Sequence, residues 1–119
     1  MTVFLCVNCR QPLTGDVQQG TPQRGPERPL DHEVVSSRMA RGRYSPNFDG
    51  SLLIFHPDDV PNMVSHPDRH RLSGCCGPAG QDGPNLVCTG CGAEVATKEA
   101  DCWTDNLVAV ITSAVMEQL

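Results

Sequence analysis

The residues with the clearest chemistry in this sequence are four cysteines arranged as two C-x2-C pairs. The first pair is Cys6 and Cys9, and the second pair is Cys88 and Cys91. Two intervening residues let both sulfurs of a pair point at one cation, while the backbone amides between them point at the sulfurs. Two such turns complete a tetrahedron of thiolates, which suits Zn²⁺. The same four thiolates also suit iron, which we rank below zinc.

The total of seven cysteines argues against a disulfide framework. An odd number leaves at least one thiol unpaired, and disulfides do not persist in a reducing cytosol. Residues 1–5 lack the charged start and long apolar stretch of a signal peptide, and no apolar run reaches the roughly 18 residues that span a bilayer. We therefore expect a cytoplasmic protein without a membrane partner, in which the cysteines bind metal.

The two cysteine pairs and the short apolar strands before them resemble the zinc-ribbon family. In that family, two rubredoxin-like knuckles on β-hairpins meet around one structural zinc ion. The resemblance covers residues 3–13 and 86–102, about a quarter of the chain. It implies a zinc-ribbon fold, and it does not imply a function, because such ribbons serve in transcription, ribosomes, enzymes and scaffolds. It also implies the metal ligands, which are Cys6, Cys9, Cys88 and Cys91.

The separation of the two pairs differs from that of a compact zinc ribbon. Here 78 residues lie between Cys9 and Cys88, so the middle of the chain is predicted to be a long insertion. Such an insertion is tolerable if its ends meet at the metal, since loop-closure entropy grows only logarithmically with length. We expect a single domain over residues 1–119, with knuckles at 3–13 and 86–102, a flexible loop at 10–30 and an inserted region at 31–85.

The composition predicts a small, β-rich fold that depends on metal. Only 39% of the residues are apolar, and Gly and Pro together number 21, so the core alone has little surface to bury. The apolar run from Leu52 to Phe55 follows an Asp-Gly turn and predicts a core strand within an otherwise irregular insertion. From Leu107 onwards, apolar residues share one helical face, but several are β-branched. A short C-terminal helix and a buried strand ending at Ile111 therefore both stay open.

A second group of cysteine and histidine side chains is a candidate for another metal or thiol site. Imidazole and thiolate both suit zinc, and three protein ligands with an open position would activate water. The irregular spacing instead favours buried cysteines that only pack, and the adjacent pair would also suit a vicinal disulfide or a reactive thiol. The residues of this candidate second site are His56, Cys75, Cys76 and Cys102, with His66 or His70 completing the set.

The charge pattern disfavours nucleic acid as a partner. The formal net charge is -5, the wrong sign for neutralising phosphates, and four thiolates around one Zn²⁺ make it more negative. We expect a non-enzymatic zinc-binding module that binds a protein or small ligand through the inserted region. A metal-dependent or thiol-dependent enzyme using the second site is the alternative, and a nucleic-acid-binding ribbon is weaker. The candidate contact residues are Arg38, Arg41, Arg43, Tyr44, Phe55 and Trp103.

Overall fold

A computed structural model describes residues 1–21, 39–75, 77–101 and 106–118 of the chain. Within these ranges the secondary structure is almost entirely β. Three short 3₁₀ turns, at Pro57–Asp59, Arg69–Leu72 and Thr112–Ala114, connect strands. The strands are β1 (Val3–Cys6), β2 (Gln18–Gln19), β3 (Arg43–Pro46), β4 (Leu52–Phe55), β5 (Met63–Ser65), β6 (Leu86–Cys88), β7 (Glu94–Glu99), β8 (Leu107–Ile111) and β9 (Val115–Gln118).

Seven of these strands form one sheet in the order β2-β3-β4-β8-β7-β6-β5, and β1 pairs with β9 in a separate two-stranded sheet. All neighbours are antiparallel except β2 and β3. In the small sheet, Val3 lies opposite Gln118 and Cys6 opposite Val115, so residues from both ends of the sequence are adjacent. The predicted β-rich fold class is confirmed.

The core is organised around three aromatic side chains. Phe4 of β1 meets the rings of Tyr44 and Phe55 edge to face, with centroids 5.0 and 5.6 Å away. Tyr44 and Phe55 stack on each other at 5.7 Å across the β3–β4 pair. Aromatic rings in these geometries gain energy beyond the area they bury. The small sheet therefore packs on the large one through Phe4.

Residues 31–85 contribute strands to the central sheet. Of these, β4 lies between β3 and β8, with Leu53 opposite Val110 and Phe55 opposite Val108. β5 pairs with β6, which carries Cys88. The region that the sequence predicts as an insertion therefore shares its core with strands of the last third of the chain.

The structure differs from the sequence analysis at three places. Residues from Leu107 to Ile111 form strand β8, so the C-terminal helix is wrong and the strand alternative is confirmed; β-branched side chains suit this position between β4 and β7. Tyr44 and Phe55 are buried, so they are core residues and not contact residues. Leu13 and Val17 are also fully buried, although they lie in the segment predicted to be a flexible loop.

No helix in the described part of the chain is long and apolar enough to traverse a bilayer.

Candidate metal centre

Two turns of the same design position the four cysteines of the C-x2-C pairs. From here on, N-terminal knuckle means the turn at residues 6–11 and C-terminal knuckle means the turn at residues 88–93, which lie within the longer predicted segments 3–13 and 86–102. β1 ends at Cys6 and β6 ends at Cys88, so each knuckle begins where a strand ends. The N–H of Cys6 donates to the carbonyl of Gln11, and the N–H of Cys88 donates to the carbonyl of Ala93, both at 2.9 Å. Each knuckle is thus closed by the same backbone bond.

A second backbone bond repeats in both knuckles. The N–H of Arg10 donates to Cys6 O at 2.7 Å, and the N–H of Gly92 donates to Cys88 O at 2.9 Å. Both donors have left-handed backbone, with φ of 63° at Arg10 and 76° at Gly92. Glycine adopts this conformation without a steric penalty, whereas arginine does not. Arg10 and Gly92 therefore share one backbone conformation. Glycine adopts it freely, whereas the fold must impose it on Arg10.

The two knuckles bring their four sulfurs together into one cluster. All four Sγ atoms lie within 4.8 Å of one another. Across the knuckles, Cys6 Sγ lies 3.7 Å from Cys91 Sγ, and Cys9 Sγ lies 3.6 Å from Cys88 Sγ. Four thiolates at about 2.3 Å from a tetrahedral Zn²⁺ would be about 3.8 Å apart, whereas a disulfide requires about 2.05 Å. The sulfur spacing therefore matches a shared cation, and it is too long for a disulfide to link the knuckles in this structure.

Each knuckle supplies one buried sulfur and one that faces solvent. Cys6 and Cys88, at the strand ends, are buried, and Cys9 and Cys91, in the turns, are exposed. The N–H of Gly90 lies 3.3 Å from Cys88 Sγ. Such N–H groups stabilise the negative charge that a thiolate ligand carries. The cluster thus lies at the protein surface, with two of its cysteines accessible to solvent.

The thiols of the cluster differ in pKa. For Cys91, the side chain of Asn8, the N–H of Ala93 and the neighbouring thiols lower the pKa to about 6. For Cys9, the backbone N–H of Gln11 lowers the pKa, but desolvation and hydrogen bonds with the other three cysteines outweigh it and raise the pKa to about 12. Since metal ligands must be thiolates, metal binding has to release protons from this cluster.

The knuckles also contact each other outside the sulfurs. The side-chain amide of Gln11 donates to Thr89 Oγ1 at 2.5 Å. At Gly90, an added Cβ would collide with Gln11 Oε1 and lie 3.3 Å from Cys9 Sγ. Glycine at this position therefore leaves room for the Gln11 side chain between the two turns. The sequence analysis missed Asn8 and Gln11, although Asn8 lies within the first C-x2-C pair and Gln11 only two residues after it, which was a usable signal.

The residues predicted for a second site have other partners where they are described. The imidazole Nδ1 of His56 accepts from the N–H of Asp58 at 3.0 Å, and the N–H of Cys75 donates to Asp101 Oδ2 at 2.9 Å. Cys76 and Cys102 lie outside the described residues, as do the candidate contacts Arg38 and Trp103. Among residues that are described, the four knuckle cysteines are the one group of three or more potential metal ligands. The second site stays a prediction.

The two further histidines of that prediction also lie apart from the sulfur cluster. His66 Nε2 lies 3.1 Å from Glu94 Oε2, and Arg71 Nη1 donates to the same oxygen at 2.7 Å. His70 is exposed in the 3₁₀ turn Arg69–Leu72. The contacts of His66 and Arg71 with Glu94 hold the loop before β6 against the start of β7. They thereby support the C-terminal knuckle, which lies between these two strands.

No family model, curated protein or solved structure matches this chain. Four cysteines that lie close together and could hold a metal ion are consistent with a zinc-ribbon-like site.

Proposed function

We propose that this protein is a non-enzymatic zinc-binding module, in which Cys6, Cys9, Cys88 and Cys91 hold one structural Zn²⁺ and the region of residues 31–85 binds a protein partner. The main observation in support of the zinc site is the spacing of the sulfurs, which lie 3.6 and 3.7 Å apart across the knuckles. A closed set of four thiolates leaves no open position for substrate or water, which is the arrangement of structural zinc sites.

The position of the cluster supports a structural role. Cys6 lies at the end of β1, which pairs with β9, whereas Cys88 lies at the end of β6 in the large sheet. An ion bound by both knuckles would therefore link the two sheets. Because such a site does not exist in the unfolded chain, the binding free energy of the metal adds to the free energy of folding. This addition suits a chain with so little apolar surface.

Elemental analysis of the purified protein tests the zinc site. We expect one zinc and no iron per chain from cells grown with both metals, and a zinc X-ray absorption spectrum that shows four sulfur neighbours at about 2.3 Å. Cys6→Ser and Cys88→Ser remove one ligand from each knuckle and should both lose the metal. Cys75→Ser is the matched control, because this exposed cysteine lies outside the cluster.

Two results would contradict the proposed zinc site. The first is a wild-type protein that carries iron or no metal. The second is a Cys6→Ser variant that retains one zinc with an unchanged absorption spectrum, because the ion would then be bound elsewhere. A role limited to structure also requires that no water replace a thiolate at the zinc, and such a water would appear in the spectrum as an oxygen neighbour in place of one sulfur.

A further inference from the structure

One aromatic side chain of the inserted region lies entirely in solvent. Phe48 is 98% exposed, whereas Phe4, Tyr44 and Phe55 are buried together in the core. It lies at the tip of the β3–β4 hairpin, in the turn from Asn47 to Gly50 that the N–H of Gly50 closes by donating to Asn47 O at 3.2 Å. Burying a phenylalanine is strongly favourable, and the fold leaves nearly all of this ring free to gain that energy against a partner.

The turn that carries Phe48 is tightly hydrogen-bonded on both sides. Asn47 binds Leu52 twice: its N–H donates to Leu52 O at 2.9 Å, and its Oδ1 accepts from Leu52 N at 3.1 Å. Thr112 lies in the 3₁₀ turn between β8 and β9 and also contacts this turn. Its hydroxyl donates to Gly50 O at 2.7 Å. The left-handed conformation at Gly50, with φ of 76°, completes the reversal. The backbone under Phe48 is therefore ordered before any partner binds.

The residue that follows Phe48 in the turn carries a negative charge. Asp49 Oδ1 accepts hydrogen bonds from the hydroxyl of Ser51 at 2.6 Å and from its N–H at 3.0 Å. The hydroxyl bond, followed by the backbone bond, lowers the pKa of Asp49, so the carboxylate is ionised at neutral pH. Together with the net charge of -5, this carboxylate opposes contact with anionic lipid or with nucleic acid.

The fold itself does not require phenylalanine at position 48. The turn is held by the side chains of Asn47 and Asp49 and by the glycine that follows, whereas the ring of Phe48 remains exposed. Rigid aromatic residues lose little conformational entropy on binding, and they are enriched among the few residues that dominate protein interfaces. The tip thus presents a preorganised apolar anchor next to one fixed charge.

We propose that Phe48 is the anchor through which this protein binds a protein partner, by inserting its ring into an apolar pocket whose rim carries a basic side chain facing Asp49. This inference rests on the interaction role proposed above and specifies its surface. The partner class follows from the two features of the tip, because an apolar pocket accommodates the ring and a basic rim complements the carboxylate.

Site-specific photocrosslinking with the zinc-loaded full chain identifies the partner. A benzophenone amino acid replaces Phe48 in one variant and Val64 in a matched control, because Val64 is also an exposed apolar residue but lies in β5 at the opposite edge of the sheet. We expect the residue at position 48, and not the one at position 64, to crosslink one protein in cells that contain this chain natively. A crosslink alone does not support the proposal, which depends on the affinities measured next.

Calorimetry with the purified partner then measures the contribution of each feature. Phe48→Ala is expected to weaken binding at least about 30-fold, as for a dominant interface residue, whereas Val64→Ala leaves the affinity unchanged. Asp49→Asn keeps an oxygen for the Ser51 bonds and removes only the charge, so it should reduce the salt dependence of association. Because Phe48 is 98% exposed, Phe48→Ala should keep the zinc content of the wild type and a melting temperature within about 2 °C of it.

The proposal is overturned if position 48 crosslinks no protein or only a second copy of this chain, or if Phe48→Ala binds the identified partner as tightly as the wild type. It is also overturned if the wild type, and not Phe48→Ala, binds vesicles of phosphatidylcholine and phosphatidylserine, which would assign the tip to a membrane surface. Zinc content is measured in every sample. Loss of the proposed zinc site is thereby distinguished from failure of the Phe48 contact.

Discussion

Replacing Arg10 by glycine should stabilise this protein, and replacing Gly92 by alanine should destabilise it. These residues occupy the same position in the two knuckles and share left-handed backbone, with φ of 63° and 76°. A residue with a Cβ loses about 1–2 kcal/mol in that conformation, while the greater freedom of glycine in the unfolded chain offsets about 0.5–1 kcal/mol. Each substitution should therefore change the free energy of unfolding by about 0.5–1 kcal/mol, with opposite signs.

The corresponding changes in melting temperature can be measured by calorimetry on zinc-saturated protein. With about 2.1 cal/mol/K of unfolding entropy per residue over 119 residues, the shift is about 2–4 °C, upward for Arg10→Gly and downward for Gly92→Ala. Nothing lies within 4 Å of a Cβ added at Gly92, so a loss there reports backbone strain and not a collision.

Arg10→Ala is the matched control for the two knuckle substitutions. It removes the arginine side chain but keeps a Cβ, so its melting temperature should stay close to that of the wild type. Equal melting temperatures for Arg10→Gly and Arg10→Ala would refute the argument, since they would show that the backbone at position 10 carries no strain. A Gly92→Ala variant with the melting temperature of the wild type would refute the equivalence of the two turns.

Three other predictions concern the core, a buried carboxylate and the sulfur cluster. Phe55→Ala should cost about 3–5 kcal/mol in urea unfolding, whereas the exposed Phe48→Ala should cost about 0.5 kcal/mol or less. Asp59→Asn should cost about 2 kcal/mol, because the buried carboxylate accepts from Arg41 Nε at 2.7 Å, and the exposed Asp58→Asn should cost less than about 0.5 kcal/mol; thermal melts compare them. Diamide oxidation of the metal-free protein should join cysteines between the knuckles, following the 3.6 and 3.7 Å contacts, and peptide mapping that finds disulfides within each knuckle would contradict this.

The sequence predicts the metal centre better than it predicts the sheet. The C-x2-C spacing carries its own geometry, because two residues between cysteines restrict where both sulfurs can point. The predicted clustering of the two pairs is confirmed by the positions of the sulfurs. The left-handed backbone at Gly92 follows from the glycine after Cys91, but nothing in the type of Arg10 signals the same conformation.

Strand pairing is harder to predict from the sequence, because it depends on contacts between residues far apart in the chain. Leu52–Phe55 reads as a core strand from its apolar run, but nothing local indicates that Phe55 lies opposite Val108 in β8. For the residues from Leu107 onwards, helical and extended patterns fit the sequence about equally, and the two neighbouring strands decide the outcome. The burial of Val17 could not be predicted either, because its neighbours in sequence are polar residues and glycine.

The pairing of β1 with β9 and the meeting of the two knuckles also set the order of events during translation. A ribosome adds about 5–20 residues per second, so the 79 residues from Cys9 to Cys88 take about 4–16 s to synthesise. Throughout that interval the first two cysteines have emerged without the second two. The nascent chain must therefore remain unassembled, with its first thiols accessible to metal chaperones and oxidants, until its last third leaves the exit tunnel.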